Sequence, residues 1–389
     1  MPYRLTEDQA ALRDAVRILA DEQIAPRAAE IDRTGDFPWD VKELLASHDV
    51  LSLPFPEQYG GLGGDLLTVC LAIEQISRVC ATSGLILAVH ELASLPLLLA
   101  GSDEQKARWF PGLAAGKHLI AFALTEAEAG SDVAAARTRA RQDEATGEWI
   151  IDGSKRFISQ GSVADLIVVF AATADEGAEG DTPRHRRLTC FVVEKDTPGF
   201  AVERIEHKMG IRGSPTAELS FTNVRVPDAN RIGEVGEGFE IAMRTLDRSR
   251  PGIAAQAVGI AQGALDVASA YARDRTQFGR PIAEFQMIGA MLADMDAGTE
   301  AARQLLYKAC TEIAAGAADA ARWSAVCKLV AGDTAMRVTT DAVQVLGGYG
   351  YIDEFPVERM MRDAKITQLY EGTQQIQRLV IARSLTARR

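Results

Sequence analysis

"HLIAFALTEAEAGSD", residues 118–132, is where the texture of the chain changes. A short apolar run ends in a turn of small residues. Before it, apolar residues recur at helical spacing. After it come "GEWIIDGSKRFIS", "ADLIVVFAAT", "LTCFVVEKD" and "ELSFTNVRVP", short segments rich in β-branched and aromatic residues and punctuated by Gly, Pro, Asp and Asn. That pattern belongs to an antiparallel β domain. From about residue 237 the chain is alanine-rich and helical again. The stretch therefore predicts an α+β multidomain protein: a helical domain over 1–118, a central antiparallel β-barrel domain over 119–232, and a C-terminal four-helix bundle over 233–389.

Working outward, "LTEDQAALRDAVRILADEQIAP" places Leu5, Leu12, Val16, Leu19 and Ile24 near one helix face, with Thr6 and Gln9 spaced as a capping box and Pro26 expected to end or kink the helix. "PEQYGGLGGD" is a glycine-rich turn without the G-x-G-x-x-G spacing of a dinucleotide fold. "DEGAEGDTPRHRR", 175–187, reads as a solvated loop between two strands. "GFEIAMRTLDRSRPGIAAQAVGIAQGALDVASAYARDR" is one long helix in which Gly252, Gly259 and Gly263 permit close helix contact.

The 389 residues suffice for two or three domains, and 47% hydrophobic with 25% charged residues is an ordinary globular composition. The net charge of −12 argues against nucleic acid. Five cysteines with no C-x-x-C pair argue against a disulfide framework and for a reducing, cytoplasmic setting. The N-terminus lacks the apolar core of a signal peptide, and the apolar runs read as too short to span a bilayer. Scattered histidines (48, 90, 118, 185 and 207) give no metal site, and neither G-x-S-x-G nor a Walker A loop is present. What remains is carboxylate chemistry, an organic cofactor, or no chemistry.

Four segments admit both a chemical and a plain reading. Gly130 and Ser131, after the strand containing Phe122, Leu124 and Thr125, suit close backbone approach to a ligand or a capped turn. In "RDRTQFGRPIAEFQ", Arg273, Arg275 and Arg280 suit a pyrophosphate or a helix end. "DAVQVLGGYGY" ends a helix at Gly347–Gly348, which also leaves room for a flat cofactor. Asp247 and Arg250, one turn apart, form at least a helix-face ion pair.

Glu371, in "KITQLYEGTQQIQRL" (365–379), resists a plain reading. Val357, Met360, Met361 and Ala364 mark one apolar face before it; Ile376, Leu379 and Val380 mark another after it. Gly372 breaks the helix and Thr373 can cap the next. A carboxylate at such an apolar junction has its pKa raised towards that of a general base.

Taken together and in order, "LTEAEAGSD", "KMGIRGSPTAELSFTNVRVP", "DRTQFGRPI", "DAVQVLGGYGY" and "RDAKITQLYEGTQQIQRL" resemble the signatures of the acyl-CoA dehydrogenase family across essentially the whole chain. The resemblance implies FAD, lined by Phe122, Leu124, Thr125, Gly130 and Ser131 and covered by Phe157, Ile158 and Ser159. Arg275, Phe278, Gln286, Gln344, Gly347 and Gly348 would reach a neighbouring subunit's FAD, whereas Thr373 and Gln375 would touch the adenosine-side phosphates and ribose of the FAD. Ser131, Asp247, Arg250 and Gly372 would contact the acyl-CoA.

Glu371 matches the family's catalytic base, removing the α-proton while the β-hydrogen leaves as hydride to the flavin. The implied product is a trans-2-enoyl-CoA, the implied electron partner an electron-transfer flavoprotein, and the implied assembly a homotetramer in fatty acid metabolism. The isovaleryl-CoA branch carries its base near "LDRSRP"; Ser249 stands there and cannot serve. Ala127 replaces a usual Pro, Phe157 a common Trp and Phe122 a common Tyr. An oxidase or desaturase acting on a carrier-protein thioester, and a non-catalytic binding relative, are the competing expectations.

Overall fold

The computed structural model describes residues 4–173 and 183–386, so most of the loop expected over 175–187 lies outside the described residues. The capping box forms. The Thr6 hydroxyl accepts from the Gln9 N–H and the Gln9 side chain accepts from the Thr6 N–H, each at 3.1 Å, starting α1 (Glu7–Leu19). The helix does not run on to Pro26. It passes through a π turn over Ala20–Ile24 and a 3-10 turn over Ala25–Arg27, because a proline inside an α-helix has no N–H for the ladder. Helices α2 (Ala28–Thr34), α3 (Trp39–Ser47), α4 (Leu66–Ser77), α5 (Ala81–Ala100) and α6 (Asp103–Ala114) follow.

The middle of the chain is a sheet of β1 (Ile120–Ala123), β2 (Arg139–Gln142), β3 (Trp149–Ser159), β4 (Leu166–Ala172), β5 (Leu188–Glu194), β6 (Phe200–Ile205), β7 (Thr216–Val226) and β8 (Arg231–Ile232). Its order is β6-β7-β3-β2-β4-β5-β8, with β1 on β4. This corrects the expected closed antiparallel barrel. Edge strands β6 and β8 do not pair with each other among the described residues, and β4 pairs in parallel with both β1 and β2. All of β4 is buried, as the continuous apolar run "LIVVFAA" requires of a strand covered on both faces. β2 and β6 were not foreseen, since "RARQ" and "FAVERI" are polar or solvent-facing.

The C-terminal part contains α7 (Gly238–Asp274), a hairpin of β9 (Thr276–Gln277) and β10 (Arg280–Pro281), α8 (Gln286–Ala314), α9 (Ala320–Leu346), α10 (Val357–Ala364) and α11 (Gln374–Thr386). Three long helices pack together. The fourth place of the expected bundle is divided between α10 and α11, which meet across the segment carrying Glu371. At Gly259 and Gly263 a β-carbon would overlap the Glu74 and Arg78 carbonyls, so α7 lies directly on α4 and the segment following it. One core runs without a break from Leu71, Ile73 and Ile76 to Val258, Ala261 and Val338, joining the N-terminal helices to the bundle. By length and composition α5 and α7 could each cross a membrane, against the sequence expectation; most of both is buried inside the protein.

Candidate active site

Glu371 sits in the turn between the 3-10 helix over Lys365–Gln368 and α11, with a left-handed backbone at φ 52°, followed by Gly372 at φ 86°. A non-glycine residue in this region carries strain of about 1–3 kcal/mol and persists where its surroundings over-determine it. The surroundings here are four donors. Gln377 Nε2 donates to the Glu371 carbonyl at 3.1 Å and to the Gly372 carbonyl at 2.8 Å. Arg250 Nε donates to the Glu371 carbonyl at 3.4 Å, and Lys328 Nζ to the Gly372 carbonyl at 2.8 Å. Ser249 Oγ donates to Glu371 Oε2 at 2.6 Å.

Burial pushes the Glu371 carboxyl up to about 7, against the Ser249 hydrogen bond and the positive charges of Arg250 and Lys328. Beside it, burial holds the Tyr370 phenol well above its ordinary value, and its hydroxyl donates to Gln256 Oε1. Thr373 accepts from the Ile376 N–H at 3.4 Å, the expected cap of α11.

Three of these partners are not visible in the sequence as partners of Glu371. Ser249, unable to act as a base itself, holds the Glu371 carboxyl. Lys328 and Gln377 lie at helix positions that hydrophobic spacing treats as ordinary. A fourth, Glu91 on α5, is also buried: burial, and then the negative charge of Glu371, push its carboxyl up to about 8, against Arg248. Nothing in "AVHELA" marks it, because its partners come from α7 and the 371 turn.

The segment following β1 and the C-terminal end of β3 form a second wall. The Arg156 N–H donates to the Thr125 carbonyl at 2.8 Å, clamping Thr125 beside Phe157. Phe157 is left-handed at φ 60° and 57% exposed, with the Arg156 guanidinium over its ring at 5.1 Å. Phe122 packs on Phe170 at 5.0 Å. Leu124 and Ile158 are buried, Thr125 and Ser159 half-buried, Gly130 and Ser131 exposed. The buried Lys155 ammonium donates to the Leu124 carbonyl at 3.0 Å and to Glu126 Oε1 at 2.8 Å, while the Arg137 and Thr138 N–H groups donate to Glu126 at 2.6 and 2.9 Å. The loop after β1 is thus anchored through Glu126.

Arg275, Phe278, Gly347 and Gly348 meet in an open groove of about 620 Å³, in which Arg275 is half-buried and the other three are exposed. Arg275 stacks over Tyr349 at 5.4 Å, and Phe278 is 93% exposed. Gln286 and Gln344 are exposed on the neighbouring helices and do not line that groove. Arg250 is 4% exposed and donates to Asp247 Oδ1 at 2.6 Å, so its guanidinium is committed to the turn and to Asp247. Gln375 is exposed on the first turn of α11.

Sequence profiles of the N-terminal, middle and C-terminal domains of acyl-CoA dehydrogenases match residues 6–117, 121–224 and 236–386. The chain belongs to the acyl-CoA dehydrogenase family. Family membership makes it an FAD-dependent oxidoreductase. It is 48% identical over 384 residues to a probable acyl-CoA dehydrogenase of Mycobacterium tuberculosis, covering 98% of this chain and 96% of the relative. It superposes on butyryl-CoA dehydrogenase from Megasphaera elsdenii with a TM-score of 0.95, at 41% identity and with both chains fully covered. A chain solved in work on the electron transferring flavoprotein of Acidaminococcus fermentans gives the same TM-score at 42% identity, again with both chains fully covered.

Proposed function

We propose that this acyl-CoA dehydrogenase family member converts a saturated acyl-CoA to the trans-2-enoyl-CoA, with Glu371 as the base, and delivers the electrons to an electron-transfer flavoprotein. The observation that carries the reading is the Glu371 turn: a half-buried residue whose carboxyl is raised to about 7, oriented by a 2.6 Å hydrogen bond, on a backbone that the protein holds in a strained state. A base in that range is half-ionised near neutrality and returns its proton readily.

The fit to FAD rests on the second wall: an exposed Phe157 ring clamped beside Thr125, with hydroxyls at Thr125, Ser131 and Ser159 that make no hydrogen bond among the described residues. Phe122, Leu124, Thr125, Gly130, Ser131, Phe157, Ile158 and Ser159 would hold the flavin, and Thr373 and Gln375 its adenosine side. Bound there, FAD supplies the two-electron acceptor for the hydride that leaves the β-carbon. Glu371 takes the α-proton on a carboxylate oxygen, and the electron pair of that C–H bond becomes the new double bond. The Glu371 N–H donates to no acceptor among the described residues, which leaves it available to the thioester oxygen as negative charge develops there. Ser131, Asp247, Arg250 and Gly372 are assigned to the acyl-CoA, Arg250 by holding Asp247 and the turn.

The exposed groove of Arg275, Phe278, Gly347 and Gly348 supports a homo-oligomer, a tetramer by family precedent, in which this surface, with Gln286 and Gln344 beside it, serves a neighbour's FAD. Met287, Tyr351 and Leu379 are exposed apolar groups as well, the last belonging to the apolar face expected on α11. The five cysteines are free and buried, which suits the reducing cytoplasm expected from the sequence. The test is anaerobic titration with acyl-CoAs of graded length and branching. Bleaching of the flavin with formation of a 2-enoyl-CoA is expected for at least one; no bleaching by any of them sinks the reading.

A further inference from the structure

Lys328 is fully buried on α9 and lies under the Glu371 turn. Its ammonium donates to the Gly372 carbonyl at 2.8 Å and to Gln374 Oε1 at 3.3 Å, and it forms no ion pair with a carboxylate among the described residues. A buried cation without a contacting anion is expensive, and a neutral donor such as the neighbouring Gln377 already serves the same carbonyl. The charge therefore needs a reason beyond the hydrogen bond.

The carboxylate that gains from it is the one the turn carries. We propose that Lys328 is a positioning residue for Glu371: it pins the left-handed turn through the Gly372 carbonyl, and its charge keeps the adjacent carboxyl ionisable in neutral solution. The inference rests on the reading of Glu371 as the base. Burial lowers the Lys328 ammonium to about 8, against the opposing pull of Glu371, so it remains largely charged where Glu371 titrates. The groups facing this pair are Ser249 and Arg250 from α7, Asp333 and Cys327 from α9, Gln374 and Gln377 from α11, Tyr370 from the turn and Glu91 from α5. Arg250 is the second cation acting on Glu371. It is committed to Asp247 and the Glu371 carbonyl, so losing Lys328 cannot be made good by moving it.

Two substitutions separate the pin from the charge. Lys328→Gln keeps a donor and removes the charge; Lys328→Met removes both. The ionisation of Glu371 is read directly from the infrared carboxyl band that disappears in Glu371→Gln, and independently from the pH dependence of anaerobic flavin reduction by an acyl-CoA. Both variants should move the Glu371 midpoint upward by at least about half a pH unit. The Gln variant should regain a near-wild-type plateau at high pH, and the Met variant should plateau lower. A midpoint unmoved in both variants, with only the melting temperature lowered, overturns the proposal and leaves Lys328 a packing residue. The infrared titration reports on Glu371 whether or not it is the base. A wild-type protein that no acyl-CoA reduces would instead count against the functional reading.

Discussion

Two non-glycine residues hold nearly the same left-handed backbone, Glu371 at φ 52° and Phe278 at φ 53°, in opposite surroundings. Around Glu371, Ser249, Arg250, Lys328 and Gln377 all donate into the turn or its carboxylate. Phe278 caps a hairpin of two-residue strands, touches Phe285 edge-on at 6.0 Å, and is otherwise open. The strain at Glu371 is resolved within one chain, as the proposed role in proton transfer requires of a group that must keep its place. The strain at Phe278 has no such support among the described residues, which agrees with the proposal that its contacts come from a neighbouring subunit and its cofactor. The two sites should therefore fail differently: the first in rate, the second in cofactor retention and assembly.

The largest separation comes from Glu371→Gln. The amide keeps the size and cannot take a proton at neutral pH, so anaerobic flavin reduction should fall by roughly 10²–10⁴ while FAD stays bound. Reduction near the wild-type rate would move the base elsewhere. The anchor of the flavin-side loop comes next. Lys155→Met leaves Glu126 buried without its cation, and breaking such a pair costs about 3–5 kcal/mol, read as a lowered midpoint in chemical unfolding. An unchanged midpoint would show that the Arg137 and Thr138 N–H groups hold Glu126 on their own.

At the exposed site, Arg275→Ala should weaken FAD retention by about 10- to 100-fold, the equivalent of one charge-assisted hydrogen bond, and leave the first-order reduction rate of FAD-saturated protein intact. A change in rate with unaltered FAD affinity would erase the contrast between the two regions. The smallest effect is expected at Glu91. Its carboxyl titrates at about 8, so it is mostly protonated at pH 7 and Glu91→Gln should leave the rate there unaltered, diverging from wild type only at higher pH. A large loss at pH 7 would give Glu91 a part in the chemistry.

Much of this was legible in the sequence, for physical reasons that also mark where it stopped. The Glu371–Gly372–Thr373 break was readable because apolar spacing fails there on both sides. The long α7 and its glycines were readable because close packing leaves a local composition. The partners of Glu371 were not: Ser249, Lys328 and Gln377 reach it from α7, α9 and α11, and no periodicity within a helix records a contact between helices. The sheet was half legible. Buried strands such as β4 announce themselves by apolar runs, whereas β2 and β6 are polar, and the parallel pairing of β1 with β4 is set by chain path rather than by composition. The open barrel follows from the same blindness, since closure depends on whether two distant edges meet.

The most direct test of the account is the pH dependence of the second-order rate of wild-type flavin reduction at limiting acyl-CoA, which reports ionisations of the enzyme before substrate binds. Glu371 must be ionised to accept the α-proton, and burial raises its carboxyl from the ordinary range to about 7. The rate should therefore rise with pH through an ionisation near 7, and this rise should vanish in Glu371→Gln. A rate already at its plateau at pH 5, as for a solvent-exposed carboxylate, or an unaltered pH limb in the Gln variant, would contradict the assignment of the base to this turn.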